Sequence, residues 1–313
     1  MNPLHITTPL LRHAALARTL GKDVLLKMEN LQPAGSFKQR GIGTMCARAA
    51  TDGVTHFVCP SGGNAGFAAA VAGAALGVRT TIVVPQTTSE TVRGKIRAIG
   101  ADVVVHGAAW IEANEEALRM CRAPGTLYVP PFDHPDIWDG NATLIDEAVA
   151  QARESHAGFD AVICSVGGGG LLCGVLEGLH RNALAHVPVI AVETEGAASL
   201  HAAVRAGEVV TLPAITSIAT TLGSSRVAPQ AFEWTRRHDL RSVVVSDRDA
   251  VEACLRFADD MRMLVEPACG AALAVAYQNL PALADIERPL IVVCGGIGVD
   301  LEKLSEWRAR FAV

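Results

Sequence analysis

Short apolar runs rich in Val and Ile alternate along this chain with longer amphipathic or alanine-rich stretches. The runs predict strands at Val24–Met28, His56–Cys59, Thr80–Val84, Asp102–Val105, Ala161–Ser165, Val187–Val192, Ser242–Val245 and Leu290–Cys294. The stretches between them predict helices near 63–76, 89–98, 109–121, 142–153, 170–182, 247–261 and 267–279. Continuous Val/Ile runs bounded by helices mark parallel strands covered on both faces. The alternation therefore predicts an α/β fold, doubly wound, with mostly parallel sheets.

Two stretches need a separate reading. Ala65 to Val78 is uncharged and mostly Ala and Gly, but its 14 residues fall short of the roughly 20 that a bilayer demands. It reads as a buried helix. Tyr128-Val129-Pro130-Pro131-Phe132-Asp133-His134-Pro135 carries three prolines in six residues and reads as a loop or linker. It is expected to divide a four-strand block from the remainder. No repeat with a period of 20–50 residues is visible.

Composition narrows the function classes. The 313 residues, with 27 basic against 32 acidic, leave no basic footprint for nucleic acid. Half the residues are apolar, enough for a sizeable core in one large or two modest domains. The eight cysteines, at 46, 59, 121, 164, 173, 254, 269 and 294, include no CxxC pair. Several lie inside apolar runs, where a thiol behaves as a small hydrophobe. The first residues show no secretory pattern, so a reducing cytoplasm is the expected compartment. Ten histidines form neither HExxH nor HxxxH, and no GxSxG is present.

Chemistry concentrates in the glycines. Ser165-Val166-Gly167-Gly168-Gly169-Gly170-Leu171-Leu172 follows a strand and opens a helix, a geometry that gathers N–H groups around a phosphate. The dinucleotide pattern GxGxxG fails there, ending on Leu172 or Cys173, although Glu193 lies at a suitable distance downstream. It fails again at Cys294-Gly295-Gly296-Ile297-Gly298, and neither Gly-Lys pair continues as a P-loop. An NAD-dependent oxidoreductase is therefore the remote alternative. Ser61-Gly62-Gly63-Asn64-Ala65-Gly66, also between strand and helix, suits a second small anion such as a carboxylate.

Lys38 stands in Pro33-Ala34-Gly35-Ser36-Phe37-Lys38-Gln39-Arg40-Gly41, between the first strand and a helix. A lysine among Gly and Ser at a strand end can face a cleft, where lost solvation makes it nucleophilic. Gly-Ser-Phe-Lys-x-Arg-Gly, Ser-Gly-Gly-Asn-Ala-Gly and Gly-Gly-Gly-Gly-Leu, in that order, resemble the signature of fold-type II pyridoxal-phosphate enzymes, the tryptophan synthase β-like fold. The nearest branch is the serine/threonine dehydratases, above all the short L-serine dehydratases. The resemblance runs through Leu26-Lys27-Met28-Glu29-Asn30, Val265-Glu266-Pro267-Ala268-Cys269-Gly270-Ala271-Ala272 and Val293-Cys294-Gly295-Gly296.

The resemblance implies roles by position. Lys38 is the catalytic lysine that bonds pyridoxal 5′-phosphate, Phe37 covers one cofactor face, and Ala219 lies against the other. Asn64 meets the 3′-oxygen, and Gly167, Gly168, Gly169, Gly170 and Leu171 hold the phosphate. Ser61, Gly62 and Ala65 receive the substrate carboxylate. Cys294 stands near the pyridine nitrogen. Glu193, Ala197, Ser199 and Leu222 correspond to a monovalent-cation site, suited to potassium. The implied domains are residues 1–36 with 136–313, a large cofactor-binding catalytic domain, and residues 37–135, a small substrate-side domain. A homodimer and a small amino-acid substrate are implied as partners, with no membrane and no nucleic acid.

The implied activity is an L-serine ammonia-lyase, forming pyruvate and ammonia, with L-threonine as a second substrate giving 2-oxobutyrate. An L-threonine dehydratase, a serine racemase and a β-replacing synthase are the alternatives on the same fold. Biosynthetic threonine deaminases read Asn-His-Ala where this chain reads Asn64-Ala65-Gly66. Gly62 replaces an alanine and Pro60 a serine of the better-known serine dehydratases, and the smaller Gly62 is expected to widen the pocket.

Overall fold

The computed structural model describes residues 2–155 and 158–313. Among the described residues ten strands occur in chain order: β1 (Leu10–Arg12), β2 (Leu25–Lys27), β3 (His56–Cys59), β4 (Arg79–Val84), β5 (Asp102–Val105), β6 (Thr126–Tyr128), β7 (Ala161–Ser165), β8 (Val189–Thr194), β9 (Leu240–Val245) and β10 (Pro289–Val292). They form two sheets, ordered β5-β4-β3-β6 and β1-β2-β10-β7-β8-β9. Every pairing is parallel except β1 with β2. The fold is thus mixed α/β with mostly parallel sheets, as the alternation predicts.

Two compact units divide the chain. The first comprises Met1–Ile6 and Gln32–Gly140, the second Thr7–Leu31 and Asn141–Val313. These boundaries lie five residues to either side of those the resemblance implies, and the first unit also takes the N-terminal residues. One reason is steric. A Cβ at Gly140 would meet the Arg40 carbonyl at 2.6 Å and Thr44 Oγ1 at 2.6 Å, so the start of helix Pro135–Glu154 is pressed into the first unit.

The expected four-strand block is corrected in one member. The first predicted strand, β2, belongs to the six-stranded sheet, paired with β1 and β10. Its place in the small sheet is taken by β6, which pairs with β3. The proline stretch is a loop, as one of its two readings has it, running from Val129 to His134 between the end of β6 at Tyr128 and the helix that opens at Pro135; it lies within the first unit, where Val129 N–H donates to Val58 O at 2.8 Å.

In the first unit, Val58 and Val83 pack against Ala113 and Ala117 of helix Trp110–Met120. Helix Asn64–Leu76 is the alanine-rich stretch and is buried along most of its length, as expected. In the second unit β2, β7, β8 and β10 are wholly buried. Helix Pro267–Tyr277, buried at every position, packs on β7 and β8 and under helix Asp247–Met261. Lys27 is fully buried in β2, where its ammonium meets Glu147 Oε2 at 2.7 Å, the Thr8 carbonyl at 2.8 Å and Gln151 Oε1 at 3.0 Å. No helix among the described residues is long and apolar enough to cross a membrane.

Candidate active site

Lys38 opens helix Lys38–Thr51, and both it and Phe37 are half-buried. Its ammonium lies 5.2 Å from the Phe37 ring centroid and donates to the Pro131 carbonyl. Its charge is felt at Cys59, the last residue of β3, whose thiol burial nevertheless pushes up to about 12. The lysine and the end of β3 are therefore neighbours. Pro131 belongs to the stretch expected to be a loop or linker; it supplies a carbonyl to Lys38.

β3 leads into Ser61-Gly62-Gly63, and Gly63 caps helix Asn64–Leu76. Gly63 N–H donates to Ser61 Oγ at 3.3 Å, so the hydroxyl shapes the turn. A Cβ at Gly66 would lie 1.8 Å from the Ser61 carbonyl oxygen. Only glycine admits that approach, which folds the turn back on the first turn of the helix. The position where biosynthetic threonine deaminases carry alanine is thus forced here by packing. Gly62 does not open space as expected: a Cβ there would meet Thr88 Cγ2 at 3.0 Å and Val84 Cγ1 at 3.2 Å, side chains that already fill the volume. Asn64 is buried, and Ala65 follows it into the helix.

The second unit carries the long glycine loop. β7 ends at Ser165, and Val166 N–H donates to Val192 O at 2.8 Å, extending the sheet to the loop's edge. Gly169, at φ +95°, turns the chain into helix Gly170–Arg181, whose first turn includes Leu171. A Cβ on Gly167 would approach Leu222 Cα to 2.9 Å, so the loop rests on the turn Thr220–Leu222. Ala219 precedes that turn, its N–H donating to Ser217 Oγ at 3.0 Å. Ser217 in turn meets Thr194 Oγ1 at 2.8 Å and donates to Asp247 Oδ1 at 2.5 Å.

Cys294 follows β10 and is 5% exposed. Hydrogen bonding with Cys269, then burial, then the charge of Glu266 hold its thiol well above the ordinary range, so it is a neutral S–H. All eight cysteines are free, and seven are buried. Glu193, near the end of β8, is fully buried and accepts N–H groups of Leu200 at 2.8 Å and His201 at 2.7 Å, at the start of helix Ser199–Ala206. Ala197 N–H donates to the Thr194 carbonyl at 2.9 Å, and Ser199 Oγ is buried without a partner. Among the described residues, no group of three or more His, Cys, Asp or Glu is arranged to hold a metal ion. His134 serves as a cap, accepting from Asp136 N–H at 3.1 Å.

The sequence model of the family described as "Pyridoxal-phosphate dependent enzyme" matches residues 1–295. The chain belongs to that family. It is 47% identical to the Homo sapiens protein named "L-serine dehydratase/L-threonine deaminase", over 99% of this chain and 97% of that one. It is 46% identical to the Rattus norvegicus "Serine dehydratase-like" protein, over 98% and 95%. The structure of a fungal L-serine ammonia-lyase from Rhizomucor miehei superposes with a TM-score of 0.94 at 39% identity, covering 99% of this chain and all of that one.

The residues present fit the family's cofactor. Ser165 Oγ, immediately before the glycine loop, is buried with no hydrogen-bond partner, as is Ser36 Oγ, two residues before Lys38. Buried hydroxyls left unpaired cost roughly 1–3 kcal/mol each, which a polar group bound beside either would recover. The glycine loop would supply backbone donors for a phosphate, Lys38 an amine for an aldehyde, and Cys294 a neutral donor. Sequence reasoning missed the Pro131 carbonyl at Lys38, the Trp110 indole N–H on the Pro60 carbonyl, Asp247 behind Ser217, and Glu266 between Thr221 and Gly298. Each acts through a long-range hydrogen bond that leaves no local pattern.

Proposed function

We propose that the chain is an L-serine ammonia-lyase that also accepts L-threonine. Phe37, Lys38, Asn64, Gly167, Gly168, Gly169, Gly170, Leu171, Ala219 and Cys294 would hold pyridoxal phosphate. When bound, the cofactor supplies an electron sink that acidifies the Cα–H of an attached amino acid. The turn Ser61-Gly62-Gly63 and the first N–H groups of helix Asn64–Leu76, including Ala65, receive the substrate carboxylate. Lys38 Nζ takes the Cα proton, and the β-hydroxyl leaves with a proton as water. The released 2-aminoacrylate takes up water, giving pyruvate and ammonia. A neutral Cys294 thiol withdraws charge from a pyridine nitrogen less than an acid would, which favours prompt loss of the β-hydroxyl over a long-lived carbanion.

One observation carries this reading: the ordered Lys38, Ser61–Gly66 and Gly167–Leu171 elements combined with a neutral thiol at 294. The 47% identity to a human L-serine dehydratase/L-threonine deaminase supports the choice of substrate. A monovalent cation, potassium, at Glu193, Ala197, Ser199 and Leu222, a homodimeric state and a cytoplasmic location belong to the same proposal. The test is direct. Purified protein loaded with pyridoxal phosphate should be yellow and form pyruvate from L-serine and 2-oxobutyrate from L-threonine. Lys38→Ala should lower the rate by about 10³-fold or more. Formation of D-serine without pyruvate would replace the lyase with a racemase.

A further inference from the structure

Glu266 is 3% exposed and stands just before helix Pro267–Tyr277. Its backbone is fixed twice over: proline follows it, and its carbonyl accepts from Cys269 N–H at 2.8 Å and Gly270 N–H at 3.0 Å. Its carboxylate reaches two separate turns. Oε1 accepts from Thr221 Oγ1 at 2.5 Å, and Oε2 accepts from Gly298 N–H at 3.1 Å. Gly296, at φ +132°, lies so close that a Cβ there would come within 1.9 Å of Glu266 Cδ.

Each turn leads to an end of the proposed cofactor site. Thr221 sits in the turn Thr220–Leu222, and Leu222 is the residue on which Gly167 of the phosphate loop rests. Gly296 and Gly298 belong to the segment that begins with Cys294. Resting on the proposed function, we infer that Glu266 is a positioning residue that ties these two turns together, so that the phosphate end and the ring end of the site are held by one carboxylate. An ionised carboxylate is suited to this because it accepts on both oxygens. A glutamine of the same shape keeps both contacts only if the Thr221 hydroxyl turns to accept from its amide, and it brings no charge to either bond. The charge has a second consequence, since it helps keep the Cys294 thiol protonated.

The experiment compares wild type with Glu266→Gln and Thr221→Val. Thr221 is exposed, so removing its hydroxyl leaves the fold intact even if the Glu266 variant does not fold. Apo protein is titrated with pyridoxal phosphate and separately with inorganic phosphate, and the loaded protein is read by ³¹P resonance and visible absorbance. Glu266→Gln should weaken pyridoxal phosphate binding by about tenfold or more, the scale of a lost charge-assisted hydrogen bond, and shift both spectra. Thr221→Val should weaken inorganic phosphate and move the ³¹P resonance while leaving the absorbance maximum in place. Wild-type affinities and spectra in Thr221→Val, or in a folded Glu266→Gln with only a lower melting temperature, would overturn the inference and leave Glu266 a packing residue. If wild type itself binds no pyridoxal phosphate, the proposed function fails instead.

Discussion

The indole N–H of Trp110 donates to the carbonyl of Pro60 at 2.6 Å. Pro60 is buried between β3 and Ser61, whereas Trp110, the first residue of its helix, is 48% exposed. A half-exposed tryptophan thus fixes the start of the turn proposed to take the substrate carboxylate. Trp110→Phe keeps the ring and removes the donor, leaving the carbonyl unpaired at a cost of about 1 kcal/mol. On the proposal that this turn takes the substrate carboxylate, which would be held equally before and during reaction, KM for L-serine should rise about fivefold while kcat changes little. Steady-state pyruvate assays check this; a lowered kcat at constant KM would sink it.

Gly62 is the next position to test. A methyl there meets Thr88 and Val84 at distances tighter than ordinary contact. Gly62→Ala should therefore destabilise by about 1 kcal/mol, the scale of mild overpacking. Adding Thr88→Ser removes the methyl carbon at 3.0 Å and should restore most of the loss. Thermal unfolding of the single and double variants decides. If Gly62→Ala is neutral and the ratio of threonine to serine turnover falls, the glycine was leaving room for substrate.

Much of this was legible locally. β3, β5 and β7 run as the apolar pattern predicts, and the glycine loops fall at strand–helix junctions as phosphate-binding chemistry requires. What stayed hidden depends on distant pairing. β1 and β6 are three residues each, too short for periodicity to reveal. β2 joins its sheet through β10, more than 250 residues away. Pro131 read only as part of a loop or linker because prolines break local structure, yet its carbonyl accepts from Lys38. Glu266 stood in plain view inside a motif, but its partners at 221 and 298 are separated from it along the chain.

Cys294 allows a test of the ring partner. Cys294→Ser keeps a neutral donor of similar size, and pyruvate formation should stay within about threefold of wild type, a fraction of a hydrogen bond's worth. Cys294→Asp would put a second carboxyl beside Glu266 in a buried site, where an unpaired charge costs roughly 3–5 kcal/mol. The melting temperature should drop clearly, and transamination products should rise relative to pyruvate. If the aspartate variant melts like wild type with an unchanged product ratio, the residue at 294 does not face the cofactor.

Glu193 sets a pH dependence whose sign follows from its burial. Burial pushes its carboxyl up to about 7 from an ordinary 4.5, against the pull of the Leu200 and His201 N–H groups. The folded chain then holds a proton that the unfolded chain releases. The resulting stability is fully present below 4.5 and is lost as pH rises through 7, a change on the order of 3 kcal/mol. Glu193→Gln should remove that slope from thermal unfolding measured between pH 5 and 8. A potassium ion on the carboxylate would favour its ionised form, so potassium should flatten the wild-type slope and release a proton on binding, with no effect on the glutamine variant. The control is a large organic cation at equal ionic strength. If potassium and the control give the same wild-type slope, no cation sits at Glu193, and the carboxylate serves only to cap the helix that begins at Ser199.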